Sequence, residues 1–217
     1  MTPPETSLLG LTRFLEVCRN LGLSLEHEPP RQAALTARES VAGLPLDALL
    51  ATVHSQVGYV GLEEGFVLLR AGDVRHSDLL RVNERWRRDH ADPFGSLLVF
   101  GKEDMLAYHY ATVPRLADAR GLQPVVKVDM HEEPYAVPLA STVDRFFDTY
   151  SRYLEVLVAE PDYEELGPAV RTFPWQVPEI IARDRPLVEM LQAGHFEFLM
   201  PKNEETRSWV AMILGAE

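Results

Sequence analysis

Apolar side chains recur along this chain with two different periods, and the changes between them mark out its elements. Leu8, Leu11, Phe14, Leu15, Cys18 and Leu21 fall at helical spacing, which predicts a helix over 7–21 stopped by Gly22. A polar connection from Glu26 to Arg31, containing Pro29 and Pro30, then interrupts regular structure. A second helix is expected to open at Pro45, where proline sacrifices no internal hydrogen bond. Leu46, Leu49, Leu50, Val53 and Val57 form its stripe, and Gly58 ends it. Gly61 and Gly65 bracket a turn into an apolar run of strand length that ends at Arg70. A third helix is predicted over 77–88, with Ser77 as N-cap and Leu79, Val82 and Trp86 facing inward.

Beyond this point the period shortens to two. Ser96 to Phe100 is apolar throughout, residues 101–104 read as a turn, and the next run alternates. Leu106, Tyr108 and Tyr110 share one face there, and Met105, Ala107 and His109 the other, so a hairpin is predicted. Val125 to Met130 gives a further strand, with Lys127, Asp129 and His131 opposite Val126, Val128 and Met130. Tyr135 to Leu139 suits a sheet edge, because Pro134 and Pro138 flank or interrupt it. Ser141 and Asp144 have capping-box spacing at the head of a helix whose stripe is Val143, Phe146, Phe147, Tyr150, Leu154 and Leu157. That helix is expected to cover the sheet. The tail brings a proline-rich and acidic stretch over 161–178, then a helix over 179–193 restarted at Pro186. A short strand at 195–199 and a last helix capped by Asn203, with Trp209, Met212 and Ile213 as its stripe, complete the pattern. So apolar a tail should dock on its own domain or on a second copy.

Composition narrows the class. The 217 residues are 46% apolar and 25% charged, enough for one sizeable core with appendages. No run of about 18 apolar residues offers a membrane span. The N-terminal Met-Thr-Pro-Pro-Glu lacks a basic segment followed by an apolar one, so a cytoplasmic protein without a membrane partner is expected. The single cysteine, Cys18, falls on the apolar side of the first helix and reads as a small buried hydrophobe. The net charge of −12 argues against direct nucleic-acid binding, which depends on neutralising phosphates. Between Asp129 and Glu165, ten acidic residues stand against Arg145 and Arg152, a local balance of −8. Such a field attracts a basic partner, and it equally serves solubility. The one basic cluster, Arg81, Arg85, Arg87 and Arg88, is partly offset by Asp78, Glu84 and Asp89 and reads as a solvated helix face.

The chemistry-bearing motifs are sparse. The chain has no glycine-rich phosphate loop, no Gly-x-Ser-x-Gly elbow, no His-Glu-x-x-His pair and no dinucleotide fingerprint. The expectation is accordingly a protein that is not an enzyme and takes no cofactor. Asp129 and His131 project from one strand face and with Glu133 have donor types that suit a divalent metal, but two ligands at that spacing are common, and an exposed strand end is the preferred reading. The candidate partner-binding patch is Asp129, His131, Glu132, Glu133 and Tyr135, with Tyr108 and Tyr110 as neighbours. Alternation alone leaves open whether those two tyrosines face a partner or the core.

The order of several pieces resembles the SUKH superfamily, whose best-represented members are bacterial immunity proteins. These pieces are Gly43-Leu44-Pro45, the glycine-bounded passage to Gly65–Arg70, the helix near Ser77 to Trp86 and Phe100-Gly101. Pro124-Val125-Val126 and the run from Leu139 to Phe147 follow, so the match covers about 38–157. The resemblance implies an α+β fold, a single mostly antiparallel sheet covered by helices, here with an added N-terminal helix and a helical C-terminal tail. It divides the chain into a helix and linker over 1–37, a SUKH-like domain over 38–160 and an extension over 161–217. It further implies a protein-binding role, foremost the neutralisation of a basic toxin such as a nuclease, with a regulatory scaffold of several partners as the alternative and a metal-dependent hydrolase behind both. Val57-Gly58-Tyr59 stands where many members carry Asn-Gly, so the subfamily stays open, as does the choice between monomer and homodimer.

Overall fold

The structure, a computed structural model, describes residues 8–30, 40–72, 78–103, 107–131 and 133–215. Helix α1 (Leu9–Asn20) leads into β1 (Leu25–Glu28), and a small hairpin of β2 (Ser40–Val41) and β3 (Leu44–Pro45) precedes α2 (Ala48–Gln56). Strands β4 (Tyr59–Leu62) and β5 (Phe66–Leu68) are followed by α3 (Leu79–Asp89), then β6 (Leu98–Glu103), β7 (Tyr108–Thr112), β8 (Val125–Asp129) and β9 (Tyr135–Ala140). The chain ends in α4 (Val143–Val158), α5 (Tyr163–Leu166), α6 (Pro178–Ile181), α7 (Arg185–Gln192) and α8 (Glu204–Gly215). Seven strands form one sheet in the order β1-β4-β5-β6-β7-β8-β9, every neighbouring pair antiparallel. The fold is α+β, as the patterning predicts.

Helices α1 and α4 lie together on one face of the sheet. Phe66 of β5 is the hub of the core beneath them, with its ring 5.3 Å from Phe146, 5.4 Å from Tyr110, 5.7 Å from Phe147 and 6.4 Å from Phe14. Edge-on and tilted aromatic contacts of this kind add to the area they bury. Helix α3 covers the opposite face, where Trp86 reaches His109 of β7 at 4.9 Å. Its buried positions are Leu79, Asn83 and Trp86, and Val82 packs partly buried against the core beside them, so a polar residue joins the inward face that the spacing predicts. The Asn83 carboxamide donates to Val99 O (2.7 Å) and accepts from Val99 N (2.8 Å), satisfying the main chain beside the irregularity between Val99 and Gly101.

Several expectations are corrected. The polar connection after α1 contains β1, an edge strand paired with β4, and a strand not expected, β4, precedes the turn that Gly61 and Gly65 bracket. Both are four-residue strands, too short for a clear alternation, and pairing decides them. Pro45 lies in β3, because Ala42 and Gly43 both adopt positive φ (52° and 80°) and form a tight hairpin turn. Helix α2 starts after Asp47, which accepts from Leu50 N at 2.8 Å. The expected Ser77 cap lies outside the described residues, and Asp78 caps α3. Residues 195–199 are turns, and Met212 is 50% exposed while Trp209 and Ile213 are buried.

The Ser141–Asp144 capping box is also replaced. Thr142 caps α4, Ser141 bonds Asp184 through both its amide (2.6 Å) and its hydroxyl (2.8 Å), and Asp144 reaches across to Gly10 N (2.9 Å) and Leu11 N (3.2 Å). A carboxylate from α4 thus supplies the N-terminal cap that α1 lacks locally. The close crossing needs Gly10, since a Cβ there meets the Asp144 carbonyl.

The boundaries expected at residues 37 and 160 fall within one packed unit. Helix α1 shares the core with α4, and the tail docks on its own domain. Phe173 packs 4.9 Å from Tyr153, Trp209 donates to Pro174 O (3.3 Å), and Ala136 of β9 donates to Leu199 O (3.0 Å), which occupies part of that sheet edge.

Candidate functional site

The start of β7, the end of β8 and the start of β9 lie together, and they carry residues predicted from sequence. Register places Tyr108 opposite Asp129, and Asp129 opposite Tyr135. The Asp129 carboxylate accepts from His131 N at 2.8 Å, forming a local turn, and it also lies beside the Tyr135 hydroxyl. Partial burial, reinforced by that carboxylate, raises the Tyr135 phenol well above its ordinary range. His131 and Glu133 are exposed, Tyr108 and Tyr135 are half-buried, and Glu132 lies outside the described residues. Among the described residues no three His, Cys, Asp or Glu side chains gather as a metal ion requires.

Tyr110 leaves the candidate patch. It is completely buried beneath α4, 5.1 Å from Phe146, and its hydroxyl donates to Glu103 Oε1 at 2.6 Å. Tyr108, two residues nearer the strand end, stays at the rim. The same face therefore serves core and surface within two positions.

Glu103 and Lys127 form the polar centre that sequence reading missed. Their side chains are only 15% and 8% exposed and lie 2.7 Å apart. Lys127 also donates to Phe173 O (3.0 Å) and sits 4.0 Å above the Tyr108 ring, so each direction around the ammonium has a partner. Burial pulls the lysine below its ordinary range, and Glu103 acts against that shift. Pairing and hydrogen bonding make the charges tolerable inside the protein. Alternation put Lys127 and Asp129 on one face correctly, but gave no sign that this face enters the core.

Above the pair opens a cleft of about 690 Å³ between the second half of α4, α5 with the segment after it, and the β4–β5 turn. Leu154, Leu157, Tyr153, Tyr163 and Phe173 supply its walls, and Glu63, Glu64 and Glu164 stand at its mouth. Tyr153 is fixed by its hydroxyl, which donates to Arg171 O at 3.0 Å. Glu64 takes a positive φ of 57° in the β4–β5 turn and lies close enough to Tyr163 that its charge, after burial, raises that phenol. Tyr108 and Lys127 border both this cleft and the small hollow beside Asp129 and Tyr135, so the predicted strand end and the cleft are continuous.

The acidic cluster divides into two groups. Asp144 caps α1, Asp148 pairs with Arg152 (3.1 Å), Glu155 with Arg13 (2.5 Å) and Glu160 with Arg171. These four hold the fold together. Glu133, Asp162, Glu164 and Glu165, joined by Glu63 and Glu64, have no ion-pair partner among the described residues. A larger hollow of about 930 Å³ lies on the α3 side, edged by Arg81, Arg85, His90 and Lys102. Arg85 and Arg88 both pair with Asp89, and Arg81 and Lys102 have partners of their own, which fits a helix face whose charges are met locally.

Compared with known proteins, the chain matches no protein-family model and no curated protein. No described helix is long and apolar enough to cross a membrane.

Proposed function

We propose that this protein is a non-catalytic binding domain of the SUKH type, and that it acts as an immunity-type antidote by binding a basic toxin protein, such as a nuclease, in the cytoplasm. One observation carries the reading. Glu63, Glu64 and Glu164, which have no ion-pair partner among the described residues, stand at the mouth of an aromatic-walled cleft, while Asp148, Glu155 and Glu160 are neutralised within the fold. A nuclease must be basic to hold its substrate, so a surface of this kind competes for the same side chains. Lys127 and Glu103, the titratable pair at the cleft floor, are already engaged with each other and with the fold, which favours a structural role over a catalytic one.

The test is protection. Co-expression with the protein encoded beside this one in its genome should restore growth that the neighbour alone abolishes, and the two should purify as one complex. Persistent toxicity with both proteins soluble and uncomplexed contradicts the proposal.

A further inference from the structure

The cleft has features that select one kind of side chain. Its mouth carries Glu63, Glu64 and Glu164, all exposed, and Tyr163 stands half-buried beside them. The cations that border it are held elsewhere: Lys127 by Glu103 at 2.7 Å, and Arg171 by Glu160. Among the described residues the cleft therefore has uncompensated negative charge at its opening and aromatic or aliphatic surface inside. A volume of about 690 Å³ exceeds what a single side chain needs, which leaves room for the backbone on either side of it.

We propose that this cleft receives an arginine side chain projecting from a basic protein partner. The inference rests on the protein-binding reading above and specifies its anchor. A planar guanidinium stacks on a tyrosine ring while its N–H groups meet carboxylates, and an ammonium lacks that flat face. The protein already uses this arrangement within its own fold, where the Arg70 guanidinium lies 3.6 Å from the centre of the Tyr59 ring. At the cleft, Tyr163 and the carboxylates of Glu64 and Glu164 offer the same combination to an incoming side chain. The aliphatic stem of arginine would lie along Leu154 and Leu157.

The test uses the full chain and small probes: acetyl-Gly-Arg-Gly-amide and its citrulline counterpart, which keeps the shape and loses the charge. Titration followed by NMR of the leucine methyl groups should give saturable shifts at Leu154 and Leu157 with the arginine probe and none with citrulline. The double variant Glu64→Gln with Glu164→Gln, at exposed positions and so harmless to folding, should weaken the response roughly tenfold. Absence of saturable shifts at these leucines overturns the inference, as does equal binding of citrulline or an unchanged response in the variant. The two proposals fail separately. Toxin protection with a cleft blind to arginine removes this inference alone, whereas an arginine-binding cleft without protection removes the antidote reading alone.

Discussion

Two buried titratable groups near α2 pull stability in opposite directions as pH changes. Burial lifts the Asp47 carboxyl to about 6, even though its oxygens accept from Leu50 N and Gln123 N. Burial lowers the His54 imidazole to about 4, and neither of its ring nitrogens has a hydrogen-bond partner among the described residues. Asp47 binds its proton more readily in the folded chain, so its contribution is fully present below about pH 4 and is lost as pH rises through about 6. His54 binds its proton more readily in the unfolded chain, so its contribution is present above about pH 6.5 and is lost as pH falls towards 4. Each amounts to about 3 kcal/mol, and over the shared window they largely cancel. His54→Leu should remove one slope. Relative to the parent, the variant should gain about 2–3 kcal/mol between pH 7 and pH 4 in urea unfolding, and parallel curves would contradict this assignment. Little of this was legible beforehand. Asp47 and Lys127 are charged residues inside a core, and only the tertiary partners that satisfy them reveal it. Tyr108 and Tyr110 show the same limit, because alternation paired them correctly but did not say where the covering helix ends.

At the scale of elements, hydrophobic period located α1, α2, α3, α4 and the β6–β9 sheet region well, since each buries a continuous stripe or face. It failed where an element is short or where a polar residue works at long range. The spacing of Ser141 and Asp144 imitates a local capping box, yet Asp144 bonds Gly10 across 134 residues of sequence. Asp144→Ala should accordingly destabilise the fold by about 1–2 kcal/mol through the loss of the α1 cap. Gly10→Ala should cost about 1–3 kcal/mol, because its methyl group meets the Asp144 carbonyl at the helix crossing. Chemical denaturation measures both. If Asp144→Ala retains parental stability, the cap contributes nothing and the crossing is held by apolar contact alone.

For the whole molecule, the decisive feature is how charge is divided. The excess of acidic residues between Asp129 and Glu165 was plain in the sequence, but its use was not. Four of its ten acids cap or pair within the fold, and Glu164 gathers with Glu63 and Glu64 from a distant turn. Only the antiparallel sheet brings that turn to the cleft, so no linear reading included it. Long-range attraction between this surface and a basic partner governs association more than dissociation. Replacing Glu63, Glu64 and Glu164 together by lysine should slow association by about tenfold or more at low salt, and added salt should narrow the difference. Equal association rates at low ionic strength would remove the cleft mouth from the encounter surface.

In the proposed antidote role, the protein neutralises its partner by occupying it, without transforming anything. Titration of the purified full chain against the activity of the protein encoded beside it, the proposed toxin, tests that role most directly. Toxin activity should fall in proportion to added protein and vanish at equimolar ratio, with the toxin recovered intact after dissociation. Inactivation by far less than one equivalent, or full toxin activity in the presence of excess protein, would contradict it.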